Sequence, residues 1–266
     1  MSTYYNGFLE EAKKLGKQSL EREDYDKAEK YSTLVMEIYE EGAKRDPDGW
    51  EHNLPIGYAN LGNVYRKKGD NDKAEFYLQK AVKTTKELIE KCPEKYSVIG
   101  MLNILDTLAG FYMSTNQIDK AKTTYREIVN ALDEIINYYH IRSEFDKAEK
   151  YCLSKVDLFE VVAKVFPNEF LGDLANGYKI LVSIYGTTMN TQKCISYLNK
   201  ALPLFEVLAK QNAEKYSPSL AVLCLNAFEL TSDISWVKKA QYYASINPEN
   251  IESVLVIDMI KGLISE

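Results

Sequence analysis

The clearest pattern of hydrophobic and polar positions lies at residues 58–81, YANLGNVYRKKGDNDKAEFYLQKA. On each side of a polar break, large and small apolar residues recur at spacings of three and four residues, which is one face of an α-helix. These positions are Tyr58, Leu61, Gly62, Tyr65, Ala74, Leu78 and Ala81. Gly69 is suited to end the first helix, and Asp70 or Asp72 to cap the second. The segment therefore predicts two helices joined by a short turn.

Relatives of the polar break recur along the chain, each with a small residue directly after a lysine. The small residues are Ala28, Ala74, Ala121, Ala148, Cys194 and Ala240. Their successive separations are 46, 47, 27, 46 and 46 residues. A fixed period of this size predicts a solenoid of stacked helix pairs. No alternating run rich in Val or Thr is present, so we expect no strands.

This pattern resembles the tetratricopeptide repeat, whose motif places an aromatic residue, Leu-Gly and Tyr on one helix and Ala, a large residue and Ala on the next. All seven positions in residues 58–81 match, and residues 105–128 and 178–201 match with substitutions. The period exceeds the usual ~34 residues of the family. It is similar to the long, about 46-residue repeats of some bacterial multi-repeat proteins, with a PEKY turn at residues 93–96. The resemblance implies an all-α, right-handed α-solenoid of antiparallel helix pairs with about twelve helices.

We expect a single solenoid domain over residues 1–266. Its repeat units are predicted at approximately 3–47, 52–93, 96–140, 143–166, 169–212 and 215–247, followed by a terminal helix at 249–264. Because only 27 residues separate Ala121 from Ala148, the unit at 143–166 lacks one helix. We predict one unbroken helix from about residue 118 to 140 and another beginning near 144. The terminal helix is predicted to cover the last repeat with Val254, Ile257 and Ile260.

Charge and hydropathy exclude several classes of function. The formal net charge is −6, and the basic residues form no extended cluster, so we expect no nucleic-acid binding. The first residues contain no apolar run of signal-peptide length, and no stretch reaches ~18 apolar residues. We therefore expect a cytoplasmic protein that does not contact a membrane.

Catalytic and metal-binding chemistry finds little support. The four cysteines are widely separated and form no C-x-x-C pair, and only two histidines are present, so we expect free buried thiols, no metal site and no cofactor. Motifs of hydrolases, nucleotide-binding loops and zinc proteases are absent. Cys152 and His140, 12 residues apart, could in principle act as nucleophile and base, but this spacing does not favour such a pair. We expect no catalytic residues and no enzyme.

The candidate binding residues are the polar positions that the packing residues leave free on the first helix of each pair. In repeats of this kind that helix lines a concave groove. The candidates are Asn60, Asn63, Arg66, Lys67, Asn103, Asp106, Asn176 and Lys179. An asparagine amide both donates and accepts hydrogen bonds, which suits a peptide backbone. The basic residues would favour acidic side chains on that peptide. The alternative is an ordinary solvated helix surface.

The expected function is a non-enzymatic protein–protein interaction scaffold that holds a peptide or helix of an unidentified partner in the groove. Two alternatives stay open: a regulatory sensor that responds to a peptide, and a structural module, such as a homodimer, that associates through its terminal helices. Family members that bind chaperone tails use two lysines, one arginine and two asparagines. Only Lys13 and Asn60 match those five positions, so the resemblance does not extend to this clamp.

Overall fold

A computed structural model of the protein describes residues 3–91 and 98–265. The helices within these ranges are α1 (Thr3–Glu21), α2 (Tyr25–Arg45), α3 (Pro47–Trp50), a 3₁₀ turn (Glu51–Asn53), α4 (Leu54–Lys68), α5 (Asn71–Lys91), α6 (Val98–Ser114), α7 (Ile118–Ile141), α8 (Phe145–Val165), α9 (Pro167–Thr187), α10 (Thr191–Gln211), α11 (Ala213–Thr231), α12 (Ser235–Ile246) and α13 (Ile251–Ser265). The described residues contain no strand, and twelve of the helices exceed one turn. The all-α class and the helix number are therefore confirmed. Cys92 and the turn predicted at residues 93–96 lie outside the described ranges.

The chain divides into two compact lobes, an N-terminal lobe of Met1–Ala131 and a C-terminal lobe of Leu132–Glu266. In the N-terminal lobe α1 packs on α2, and α4 packs on α2 and α5. In the C-terminal lobe α9 packs between α8 and α10, and α11 between α10 and α12. The single domain and its division into repeat units stay predictions.

The turns between paired helices share one backbone conformation. Gly69 ends α4 with φ 85°, and its N–H bonds to the last carbonyls of that helix, while Asp70 accepts from the N–H of Lys73 at 3.1 Å. Both predicted roles are confirmed. The position equivalent to Gly69, five residues before the small residue, has φ of 57–58° although it is not glycine. These residues are Glu23, Asn116, Ser143 and Met189. The left-handed conformation costs free energy in a residue other than glycine. The packing of the two flanking helices therefore has to compensate for this cost.

The small residues lie where two helices approach most closely. Ala74 is fully buried, and the other five small residues of the period are buried as well. A Cβ added to Gly62 would lie 2.8 Å from Cγ of Leu78, so no larger residue fits there without movement. The predicted packing positions are therefore core positions.

In three repeats a glutamate directly follows the small residue of the period and forms hydrogen bonds to the next helix pair. In each case it accepts hydrogen bonds from a tyrosine hydroxyl and a lysine ammonium of the following pair. The sets are Glu29 with Tyr65 and Lys68 at 3.0 and 2.7 Å, Glu75 with Tyr112 and Lys120 at 3.1 and 2.6 Å, and Glu149 with Tyr185 and Lys193 at 2.6 and 3.0 Å. Burial and the Glu29 carboxylate raise the pKa of Tyr65 to about 12, while the Lys68 bond lowers the pKa of Glu29.

Helix α7 is the long unbroken helix that the 27-residue separation predicts. It covers Ile118–Ile141, and α8 begins at Phe145, so both predictions are confirmed. Tyr139 near the end of α7 stacks on Tyr151 of α8 with 5.6 Å between ring centroids. Tyr65 of α4 stacks in the same way on Tyr77 of α5, at 5.5 Å. The last turns of α7 thus serve as the first helix of a pair with α8.

Helix α13 packs on α11 and α12 through a face that differs from the predicted one. The buried residues are Ser253, Val256 and Ile260. Ile260 was predicted correctly, but Val254 is 42% exposed and Ile257 is only half-buried. The helix is apolar on more than one side, so its sequence does not determine which side packs. Ile251, Leu255, Met259 and Leu263 remain exposed.

Candidate functional site

A cleft of about 980 Å³ in the C-terminal lobe is a candidate site. Its walls come mainly from α7, α9 and α11, with contributions from the start of α10 and from Glu252 of α13. Two of the predicted site residues, Asn176 and Lys179 of α9, line it. Half-buried Ile180, Val222 and Leu230 supply apolar surface beside them.

The other predicted site residues belong to the N-terminal lobe. Asn60, Asn63, Arg66 and Lys67 lie on α4, and Asn103 and Asp106 lie on α6. Arg66 Nε donates to Asn63 Oδ1 at 3.1 Å, so these two side chains hold each other. The surrounding protein partly desolvates the carboxyl of Asp106 and raises its pKa. The eight candidates are thus distributed over both lobes.

Three helices each contribute one asparagine to the cleft: Asn137 from α7, Asn176 from α9 and Asn226 from α11. Among the described residues none of these three amide side chains makes a hydrogen bond, so their donors and acceptors are free for a ligand. Asn137 is missing from the sequence-based candidates. It precedes Ala148 by the same offset at which Asn63 precedes Ala74, and this correspondence would have identified it.

The cleft also carries four carboxylates, of which two are neutralised by lysines. Asp133 Oδ1 lies 2.6 Å from Nζ of Lys155, an α8 side chain that is 0% exposed. Glu252 Oε1 lies 2.5 Å from Nζ of Lys179. Ser219 of α11 accepts from Lys179 at 2.8 Å and donates to the second oxygen of Glu252 at 2.6 Å. Lys179 is therefore part of a network that joins α9, α11 and α13, and its charge is compensated.

The remaining two carboxylates, Glu134 of α7 and Glu229 of α11, are exposed to solvent. Within residues 3–91 and 98–265 neither forms an ion pair. The cleft consequently has an excess of negative charge. Sequence reasoning missed both residues, although Glu134 precedes Ala148 by the same offset at which Asn60 precedes Ala74.

The described thiols are unsuited to nucleophilic chemistry. Cys152, Cys194 and Cys224 are free and buried, as predicted. Burial raises the pKa of Cys152 to about 12, and its Sγ donates to the carbonyl of Gly177 at 3.2 Å. Cys152 is therefore unsuited to act as a nucleophile with His140, because its thiol is buried and its pKa is raised. In the described part of the chain no three His, Cys, Asp or Glu residues form a group that could hold a metal ion.

A second cleft, of about 720 Å³, lies among α5, α6 and α7 in the N-terminal lobe. On its walls Lys86 pairs with Glu127 at 2.8 Å and Lys83 with Glu87 at 3.8 Å, so part of its charge is neutralised. None of the predicted site residues lines it. The C-terminal cleft is therefore the stronger candidate.

Comparison with known families matches one helix pair of the chain to a family model. Residues 57–87, within α4 and α5, match the family model described as a tetratricopeptide repeat. This helix pair is a tetratricopeptide repeat. Tetratricopeptide repeats are typically non-catalytic units that stack through their neighbours and present extended binding surfaces. The long-repeat variant stays a prediction.

Solved structures with similar helix arrangements share little sequence with this chain. BtubC (BKLC) from P. vanneervenii has 17% identity, with 91% of each chain covered and a TM-score of 0.34. Acl4, the assembly chaperone of RpL4, has 15% identity, with 97% of this chain and 96% of its own covered and a TM-score of 0.44. The TPR2AB domain of yeast Sti1, in a complex with pHSP90, has 14% identity, with 98% and 100% covered and a TM-score of 0.34. Because these TM-scores are below 0.5, the family assignment rests on the repeat match and not on them.

No curated protein sequence matches the chain. Over residues 3–91 and 98–265, no helix has both the length and the hydropathy that crossing a bilayer requires.

Proposed function

We propose that the protein is a non-enzymatic interaction scaffold that binds a peptide segment or helix of a partner protein in the C-terminal cleft. The observation that carries this proposal is the convergence of three unpaired asparagine amides, from α7, α9 and α11, on one cleft of about 980 Å³. Ligand-binding clefts typically have volumes of ~300–1,000 Å³, and this cleft lies at the upper end of that range.

The amides supply contacts that do not depend on the ligand's sequence. Each of Asn137, Asn176 and Asn226 can donate to a peptide carbonyl and accept from a peptide N–H. The apolar patch formed by Ile180, Val222 and Leu230 would bury one or two apolar side chains of the segment. Because only a few anchors are buried, we expect an affinity in the roughly micromolar range.

The walls of the cleft are held in place before a ligand binds. The network of Lys179, Ser219 and Glu252 connects three helices through side chains that are largely shielded from solvent. A site whose walls are already ordered loses less conformational entropy on binding. The cleft therefore suits a scaffold that holds a segment without rearranging.

The test is a selection of random 12-residue peptides displayed on phage, with the full chain as bait. The selected peptides are synthesised, and their Kd is measured for the wild type and for the triple variant Asn137→Ala, Asn176→Ala and Asn226→Ala. Asn199→Ala, an exposed change on α10 outside the cleft, is the matched control. We expect the triple variant to lose at least tenfold in affinity and the control to bind like the wild type. Equal binding by all three proteins would exclude the cleft as the site.

A further inference from the structure

We infer that the segment bound by the cleft is cationic, with lysine or arginine side chains that pair with Glu134 and Glu229. This inference rests on the proposed function and adds the chemical class of the partner. It reverses the charge preference that Lys179 and the other basic candidates suggest from the sequence.

The charge balance of the cleft is the first support. Asp133 and Glu252 have their own lysines, Lys155 and Lys179, at 2.6 and 2.5 Å. Glu134 and Glu229 have no ion-pair partner among the described residues. Two uncompensated negative charges in a recess attract a cationic segment and repel an acidic one.

The placement of these carboxylates beside the free amides is the second support. On α7, Asn137 lies three residues after Glu134, and on α11, Glu229 lies three residues after Asn226. Residues three apart are neighbours on a helix surface. Each of the two walls therefore presents an amide, which suits the ligand backbone, next to a carboxylate, which suits a ligand side chain.

The size of the effect follows from the exposure of both glutamates. An exposed ion pair contributes little, so we expect about a fivefold gain in affinity per pair and more than tenfold for both at low salt. The gain should shrink as ionic strength rises, because salt screens exposed charges. The amides would supply binding that does not depend on salt.

The experiment extends the peptide selection. Peptides selected on the wild type are scored for Lys and Arg content against the unselected library, and one is remade with every Lys and Arg replaced by Gln. Both forms are titrated at two salt concentrations against the wild type and against Glu134→Gln with Glu229→Gln. Glu206→Gln with Glu214→Gln is the matched control, since both residues are exposed and lie outside the cleft.

We expect enrichment of Lys and Arg, and at least a tenfold loss of affinity at low salt when either the peptide or the Glu134 and Glu229 pair is neutralised. When the neutral peptide is combined with the neutral protein variant, the loss of affinity should be little larger than with either change alone. The control variant should bind like the wild type. If peptides depend on the three asparagines but show neither enrichment nor a loss with the neutral variant, the inference is overturned and the scaffold proposal stands. If no peptide depends on the asparagines, the scaffold proposal fails as well.

Discussion

The ion pair of Lys155 and Asp133 offers a sharp test of the structure of the C-terminal lobe. The Lys155 side chain is 0% exposed, and the carboxylate of Asp133, at 2.6 Å, is its one ion-pair partner among the described residues. Breaking a buried pair by removing one partner typically costs ~3–5 kcal/mol, because the other charge stays buried without compensation. The Asp133 side chain is 38% exposed at the cleft wall, so water can follow its removal. We therefore expect Asp133→Asn to cost about 3 kcal/mol, the lower end of this range.

Removing the lysine should have a much smaller effect. Lys155→Met keeps an unbranched chain of similar length and removes the buried charge, and it leaves a carboxylate that the cleft can hydrate. We expect its free energy of unfolding to lie within ~1 kcal/mol of the wild type, because the remaining Asp133 carboxylate is 38% exposed and no uncompensated charge stays buried. The double variant should resemble Lys155→Met. Urea and thermal unfolding followed by circular dichroism measure all four proteins, and ~3 kcal/mol corresponds to roughly 6–12 °C in Tm for a lobe of this size. If Asp133→Asn matches the wild type, or Lys155→Met is as unstable as Asp133→Asn, the assignment of an uncompensated buried charge is refuted.

Four further predictions concern stability. Ala74 is fully buried at a helix crossing, so Ala74→Leu should cost on the order of 1–3 kcal/mol by overpacking, and an unchanged urea midpoint would contradict the repeat register. Because the pKa of Tyr65 is raised to about 12, its contribution to stability is complete below pH ~10 and is lost as pH rises towards 12. The Tyr65→Phe variant should therefore lose less stability than the wild type between pH ~10 and ~12. The lowered pKa of Glu29 gives the opposite pH dependence: its contribution to stability is present above pH ~4.5 and is lost as pH falls. Glu29→Gln should therefore weaken the decrease in stability at acidic pH. Ile260→Ala should lower the free energy of unfolding by ~2–5 kcal/mol, because Ile260 is buried. Leu255→Ala, at an exposed position of the same helix, should change it by less than ~0.5 kcal/mol. Similar values for the two variants would show that α13 packs through another face.

The local pattern of apolar residues and the period of the repeat were sufficient to predict much of the fold. The spacing of Tyr58, Leu61 and Tyr65 determines which face of α4 is apolar, and Gly69 determines where that helix ends. The short separation between Ala121 and Ala148 determined that one long helix replaces two. These features follow from residues close together in the chain, because helical periodicity and turn chemistry act over a few residues.

The charge of the candidate site depended on contacts that the sequence alone does not reveal. Lys179 looked like a free basic residue, but its partner Glu252 is 73 residues away on the terminal helix. Asp133 is neutralised by Lys155, 22 residues away on the next helix. A helical face can be derived from spacing, whereas the pairing of its charges requires the positions of neighbouring helices.

Two other features were decided by tertiary packing. Helix α13 carries apolar residues on several sides, and only its contact with α11 and α12 selects Val256 and Ile260 over Val254. Met189 and Ser143 adopt the left-handed conformation that the sequence indicates only at Gly69. In both cases the local preferences are weak or opposed, so the free energy of packing two helices together decides the outcome.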